Sequence, residues 1–302
     1  MRTTYGVRIH PSSVHSDPMN QRDRADSFRR MHQPDAGRIL VLPNAWDAMS
    51  ARVIEDAGAR AIATTSAGVA WALGRTDGEG LTRDQMINAI ERITRAVRVP
   101  VTADMERGYG DGTPADVAET VRRVIDAGAV GMNLEDSSGR GDGALWETGE
   151  QAERIAAARE AATKEGVEIF VNARIDVYLM QVGLLEGRFD ETVRRARAYV
   201  EAGADGVFVP GVADAETIRA LVAEVGAPLN VMAGRGAGPT VAELQSLGVA
   251  RVSIGPSLTL AVMAQIRRAA VEVLEEGTYG AMAGGLSFPE ANALFARGTE
   301  EA

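Results

Sequence analysis

Two acidic side chains one residue apart, Asp104 and Glu106, follow the short apolar run Val99-Pro100-Val101-Thr102. In a strand, residues i and i+2 face the same side, so this spacing predicts two carboxylates pointing the same way at a strand end. Gly108-Tyr109-Gly110 then lets the backbone turn sharply. Such a pair has two readings. It is a solvated rim that partners nearby arginines, or it supplies oxygen ligands to a hard divalent cation such as Mg²⁺.

What the chain lacks narrows the chemistry. Its 302 residues include no cysteine and a single lysine, Lys164, in a polar stretch that reads as a helix end. The three histidines, His10, His15 and His32, all precede the first predicted strand. A Ser-His-Asp triad, a lysine imine, a thiolate nucleophile and a Cys-ligated zinc site are therefore not expected. Catalysis falls to carboxylates, arginine, tyrosine, hydroxyls, backbone N–H groups or a metal. The net charge of -10 argues against nucleic acid or anionic membrane as partner, because both favour a basic surface. A small anionic substrate needs only local positive charge. No apolar run approaches the ~20 residues of a membrane span, and the first residues carry no apolar signal core. Cytoplasm is the expected location.

The elements that must position these residues recur from Arg38 onward: a short apolar strand, then a helix, often with an Ala-Gly-Ala turn before the next strand. Expected strands cover 39–42, 61–65, 99–103, 130–134, 168–173, 206–209, 228–232 and 250–254. Expected helices cover 48–57, 83–96, 114–127, 149–163, 190–202, 215–225, 241–247 and 257–275. Glycines 58, 128 and 203 close three helices in the left-handed conformation. Thr113-Pro114 reads as an N-cap followed by proline in the first turn. Eight strands alternating with eight helices predict a (β/α)₈ barrel. An open doubly wound sheet would call for a Gly-rich turn after the first strand, where Pro43-Asn44-Ala45-Trp46-Asp47 stands instead. Residues 1–37 read as a partly irregular arm, with a short helix over 23–32. Residues 38–302 read as the barrel and a C-terminal helical tail, SFPEANALF, that docks on the barrel or on a neighbour.

Chemistry in such barrels sits at the C-terminal ends of the strands. Those positions hold Asn44 and Asp47, then Thr64, Thr65, Ser66 and Gly68 with Asp77 beyond. Asp104 and Glu106 follow, then Asn133, Glu135 and Asp136 with the loop 137–143, then Asn172, Arg174 and Asp176, and lastly Asn230 and Arg235. Asp77, Asp104, Glu106 and Glu135 with one arginine carry more negative charge than can stand together unneutralised, and a bound Mg²⁺ is the simplest remedy. Each residue also has a plainer reading. Ser66 could cap a turn, Arg174 could serve a structural ion pair, Asn230 could brace a loop, Tyr109 could simply pack, and Arg140 could be solvated.

At these residues the chain resembles the isocitrate lyase and phosphoenolpyruvate mutase superfamily. The resemblance spans about residues 41–295. It rests on Thr65-Ser66-Ala67-Gly68 with Asp77 downstream, Asp104-Met105-Glu106-Arg107-Gly108-Tyr109-Gly110, Asn133-Leu134-Glu135-Asp136 and Asn172-Ala173-Arg174-Ile175-Asp176. It implies a Mg²⁺-dependent enzyme, with Mn²⁺ as substitute, acting on 2-oxo acids through an enolate. Asp104 would touch the metal, with Asp77, Glu106 and Glu135 holding it mainly through waters. Ser66 and the backbone of Ala67 and Gly68 would receive the substrate carboxylate; Asn230 is a candidate substrate contact on its strand-end position alone, not by the resemblance. Arg174 would support the enolate oxygen beside Glu135, and with no stronger donor among the residue types available, enolate protonation falls to water or to a weak acid such as Tyr109.

The departures are specific. Glu106 stands where the superfamily usually has aspartate. The loop 137–143 has neither the lysine and cysteine of isocitrate and methylisocitrate lyases nor the lysine and asparagine of the mutases and phosphonopyruvate hydrolases. The expected function is therefore cleavage of a C–C bond next to C3 of an oxaloacetate-like or substituted 2-oxo or 2-hydroxy dicarboxylate, through a pyruvate enolate. The alternatives are a P–C bond enzyme and a noncatalytic metal- or oxo-acid-binding homologue. The helix over 257–275 begins Ser257-Leu258-Thr259-Leu260-Ala261-Val262-Met263-Ala264, apolar almost all round. The resemblance implies that this last barrel helix is exchanged between subunits of a homodimer or homotetramer.

Overall fold

Every predicted strand forms, and all of them run parallel. The computed structural model describes residues 19–33, 37–141, 144–234, 236 and 238–296. Its single sheet holds β1 (Leu40–Leu42), β2 (Asn44–Ala45), β3 (Ile62–Thr64), β4 (Val101–Asp104), β5 (Gly131–Glu135), β6 (Phe170–Arg174), β7 (Gly206–Val209), β8 (Leu229–Met232) and β9 (Arg251–Ser253). The order is β1-β9-β8-β7-β6-β5-β4-β3-β2. β1 pairs with β9 and β2 with β3. β1 and β2 are thus two halves of one barrel strand, parted at Pro43, which has no N–H to give the ladder. The expected eight-stranded barrel closes through that strand.

The helices with capping boxes begin at the expected residues, Thr113 caps as read, and three further caps come with the structure. Asp47, Thr82, Thr113 and Thr240 each form a capping box at the start of α2 (Ala48–Asp56), α4 (Arg83–Ala96), α5 (Pro114–Asp126) and α9 (Val241–Ser246). α6 (Thr148–Glu165), α7 (Arg188–Glu201) and α8 (Ala215–Glu224) complete the outer ring. Two helices lie before or between these. α1 (Gln21–Arg30), the expected short helix of the arm, places Phe28 edge-on to Phe170 with ring centroids 5.8 Å apart. Phe170 is the first residue of β6, so α1 closes the N-terminal end of the barrel. Residues 1–18 and 34–36 of the arm lie outside the described residues. α3 (Ser66–Ala72) was not anticipated.

α10 (Ser257–Val271) buries only Thr259, continues through a π-helical turn over Glu272–Glu276 and ends at left-handed Gly277. The tail helix α11 (Phe288–Ala296) meets α2, and Arg52 Nε donates to the Leu294 carbonyl at 2.9 Å, so the tail docks on its own barrel. Among the described residues no helix is long and apolar enough to cross a membrane.

The barrel interior is polar for its kind, since such interiors are usually filled by branched apolar residues. Asn44, Thr64, Thr102, Asn133, Asn172, Asn230, Arg251 and Ser253 are all buried. Arg251 Nη2 donates to Asn133 Oδ1 at 3.4 Å although β9 and β5 are not neighbours, so the two meet across the lumen.

Candidate active site

Four side chains sit at the C-terminal ends of adjacent strands. Asp104 is the last residue of β4, Glu135 of β5 and Arg174 of β6, and Ser66 opens α3 directly after β3. Asp104 Oδ2 accepts from the Ser66 N–H (3.1 Å) and lies 3.0 Å from the Ser66 hydroxyl. That hydroxyl is also 3.2 Å from Asp77 Oδ1, which draws the exposed Asp77 loop over the site. One hydroxyl proton cannot serve two carboxylates at once. The other Asp104 oxygen has only a 3.5 Å contact from the Asn133 amide, whose own oxygen is fixed by Asn172 Nδ2 at 2.9 Å.

Close packing dictates small residues here. A Cβ on Gly68 would lie 2.7–2.9 Å from Thr65, Thr259 and Trp46, so only glycine fits. The N–H groups of Ala67 and Gly68 belong to the first turn of α3, where no carbonyl of the helix can accept them.

Arg174 carries the fixed positive charge. Its Nη1 pairs with Glu135 Oε2 at 2.8 Å, and Nε and Nη2 grip Asp176 at 2.7 and 2.9 Å. Burial opposes its charge, but Glu135, Asp176 and Asp104 together raise it. Arg174 therefore stays protonated at any working pH. Burial pushes Glu135 up to about 7 against the pull of Arg174, and the Ser137 hydroxyl donates to it at 2.6 Å. Asp136 faces away, accepting from the Asp176 N–H, Tyr199 and Arg195 in the packing behind the site.

Glu106 joins the cluster by a different route from the one its spacing suggests. It lies beyond the end of β4 with φ 49°, so strand alternation does not aim it. Its oxygens accept from the Glu79 N–H and, at 3.1 Å, from the Tyr109 hydroxyl. Burial first, then Asp104, Asp77 and Glu135, push Glu106 up to about 8. The same burial and the facing carboxylate hold the Tyr109 hydroxyl in its protonated form.

Among the described residues no ion pair reaches Asp77, Asp104 or Glu106, so no cationic side chain neutralises these three carboxyl groups, and burial beside the other acids keeps Glu106 largely protonated until a cation enters. All-oxygen donors with uncompensated charge fit a hard cation. No three acidic groups stand close enough to be direct ligands together, again among the described residues.

Asn230 is engaged elsewhere: its amide and the Ser253 hydroxyl bond each other at 3.1 and 3.2 Å inside the barrel. Arg140 stacks over Trp146, 4.6 Å from the ring centroid. Arg235, Asp142 and Gly143 lie outside the described residues. Sequence reasoning missed Glu79 and Arg251. Glu79 carries a weak signal, an acid between two glycines just after Asp77. Arg251 carries none, because an arginine in a four-residue apolar alternation reads as solvent-facing.

Residues 28–274 match the family model described as phosphoenolpyruvate phosphomutase. A solved candidate phosphonomutase of Burkholderia cenocepacia is 49% identical, with TM-score 0.77 over 82% of this chain and 99% of that one. The 2-methylisocitrate lyase of Halalkalibacterium halodurans is 29% identical over 86% of this chain and 85% of its own. The structure of oxaloacetate acetylhydrolase with its product oxalate is 26% identical, with TM-score 0.80 over 90% of this chain and 94% of that one.

Proposed function

Because this chain belongs to the phosphoenolpyruvate phosphomutase family, within the superfamily that includes the isocitrate lyases, we propose that it is a Mg²⁺-dependent lyase. The bond it cleaves is a C–C bond next to C3 of an oxaloacetate-like 2-oxo or 2-hydroxy dicarboxylate. The observation that carries this reading is the surplus of buried carboxylate facing a single locked arginine at the strand ends.

Asp104 is the residue to touch the cation, through the oxygen that Ser66 leaves free. Asp77, Glu106 and Glu135 would help to hold it, and Mn²⁺ would serve in place of Mg²⁺. When bound, the cation supplies positive charge where the 2-oxo oxygen gains negative charge as the bond at C3 breaks. Arg174 stands beside that oxygen and cannot swing away, because Glu135 and Asp176 hold its guanidinium on two sides. Ser66 and the N–H groups of Ala67 and Gly68 receive the substrate carboxylate. The chain has no cysteine, among the described residues no histidine is at hand to deliver a proton, and the Tyr109 O–H is bound to Glu106. The enolate carbon therefore takes its proton from water, which suits a reaction whose product is simply released.

The P–C alternative is favoured by one observation, the 49% identity to the candidate phosphonomutase. Against it, the only lysine, Lys164, is at the end of α6 and pairs with Glu160. A panel of oxaloacetate, 2-methylisocitrate, 2,3-dimethylmalate and phosphonopyruvate with Mg²⁺, followed for pyruvate, oxalate and phosphate, separates the two. Turnover of phosphonopyruvate alone overturns the C–C assignment.

The active unit is proposed to be a homodimer or a dimer of dimers. Leu260, Met263, Ile266 and Val271 of α10 are exposed in the single chain. A second copy would cover them by exchange of α10.

A further inference from the structure

Among the described residues four non-glycine residues have left-handed backbone, and three of them face one another at the site. They are Glu79 (φ 62°), Glu106 (φ 49°) and Tyr109 (φ 61°). Side-chain-bearing residues hold that conformation only where the surroundings over-determine it. Here one residue does so. The Glu79 N–H donates to Glu106 Oε2, and the Glu79 carboxylate accepts from the Tyr109 N–H at 3.0 Å. Its other oxygen pairs with Arg107 Nη2 at 3.1 Å, and that same nitrogen donates to the Gly78 carbonyl at 3.1 Å.

Arg107 extends the clasp to a third loop. A Cβ on Gly139 would lie 2.7 Å from the Arg107 guanidinium carbon, so the 137–141 segment rests directly on it. The Arg107 carbonyl accepts from buried Arg154. Neither Glu79 nor Arg107 touches Asp104 or Ser66. Yet Glu79 is two residues after Asp77, and Arg107 directly follows Glu106. Their pairing sets how far apart Asp77 and Glu106 stand. It also accounts for glutamate at position 106. One extra methylene lets the carboxylate span the Glu79 N–H and the Tyr109 hydroxyl together.

We infer that Glu79 and Arg107 are a positioning pair that fixes Asp77, Glu106 and Tyr109 for cation and 2-oxo acid binding, an inference that rests on the function proposed above. The two side chains are 17% and 21% exposed, so removing one strands a largely buried charge, and the loss of site geometry is read beside Arg107→Lys, which keeps the charge.

The test combines Mn²⁺ binding by electron paramagnetic resonance with amide hydrogen exchange on metal-free protein. Its variants are Glu79→Ala, Arg107→Ala, Arg107→Lys and the double alanine variant. Each alanine variant should weaken Mn²⁺ binding by about 10–100-fold, as loss of an outer-shell support does. The double variant should be no weaker than the worse single one, since the two act as a unit. Arg107→Lys should recover part of the loss, and it keeps the test informative if an alanine variant fails to fold. Without metal, the Tyr109 amide should exchange faster in Glu79→Ala. Wild-type Mn²⁺ binding with variants within twofold of it, multiplying losses, or unchanged Tyr109 exchange would overturn the pair and leave the lyase reading standing. A wild-type protein that takes up no Mn²⁺ would overturn both.

Discussion

Loading the site with Mg²⁺ should release about one proton per chain at pH 7. Burial, then Asp104, Asp77 and Glu135, push Glu106 up to about 8. A group with that pKa is about nine-tenths protonated at pH 7, and a cation, direct or through water, favours only its ionised form. The proton must therefore leave as the cation enters. Glu135, held up at about 7 by burial against the pull of Arg174, adds a further fraction of a proton. The sign follows directly. Apparent affinity is weakest in acid, climbs nearly tenfold per pH unit up to about 8, and levels off above. From pH 7 to 9 the gain from Glu106 alone is about tenfold, or ~1.4 kcal/mol. Calorimetric titration at pH 7 in buffers of different ionisation enthalpy counts the protons from the slope of heat against buffer enthalpy. Glu106→Gln should remove most of that slope. A zero slope for the wild type, with equal affinity at pH 7 and 9, would refute the reasoning.

Acid should destabilise the fold through His32. Burial, then the charge of Arg251, holds its folded pKa down at about 3 against 6.5 in the unfolded chain. Stability is thus complete above pH 6.5 and falls as pH drops from 6.5 towards 3, by about 2 kcal/mol at pH 5. Urea unfolding at pH 7.5 and 5 should show this loss in the wild type and not in His32→Phe, which keeps the stack on Phe170; equal losses in both would exclude it. Arg174→Lys should lower kcat/KM by roughly 100-fold or more, because a point charge cannot hold Glu135 and Asp176 together and still face the substrate. Steady-state kinetics with near-wild-type values would count against that role. Light scattering at micromolar concentration should give a dimer or tetramer, and a monomer would leave α10 unexplained.

The barrel was legible because its signals are local. Short apolar runs, threonine and aspartate caps and glycine stops each act within a few residues, and the capping boxes at Asp47, Thr82, Thr113 and Thr240 form where those residues stand. Asp104, Glu135 and Arg174 were legible because a strand end aims its last residue predictably. Glu106 lies with Asp104, as expected, but strand alternation does not bring it there. Its backbone is left-handed and its carboxylate accepts from the N–H of Glu79, 27 residues earlier, a contact that no local pattern encodes. Asn230 looked available at a strand end, but its neighbour on β9 is a serine that bonds it. Arg251 stands in an apolar stretch and yet points into the lumen, where its partners are Ser253 on its own strand and Asn133 on a distant one.

Pyruvate formation from oxaloacetate, with Mg²⁺ and then with excess EDTA, tests the central claim most directly. Wild-type protein should produce pyruvate well above the rate of Mg²⁺ alone, and both EDTA and Asp104→Ala should abolish the excess. A rate that never exceeds the metal-only control across the C3-substituted dicarboxylates would contradict the lyase assignment, and so would activity that persists in EDTA.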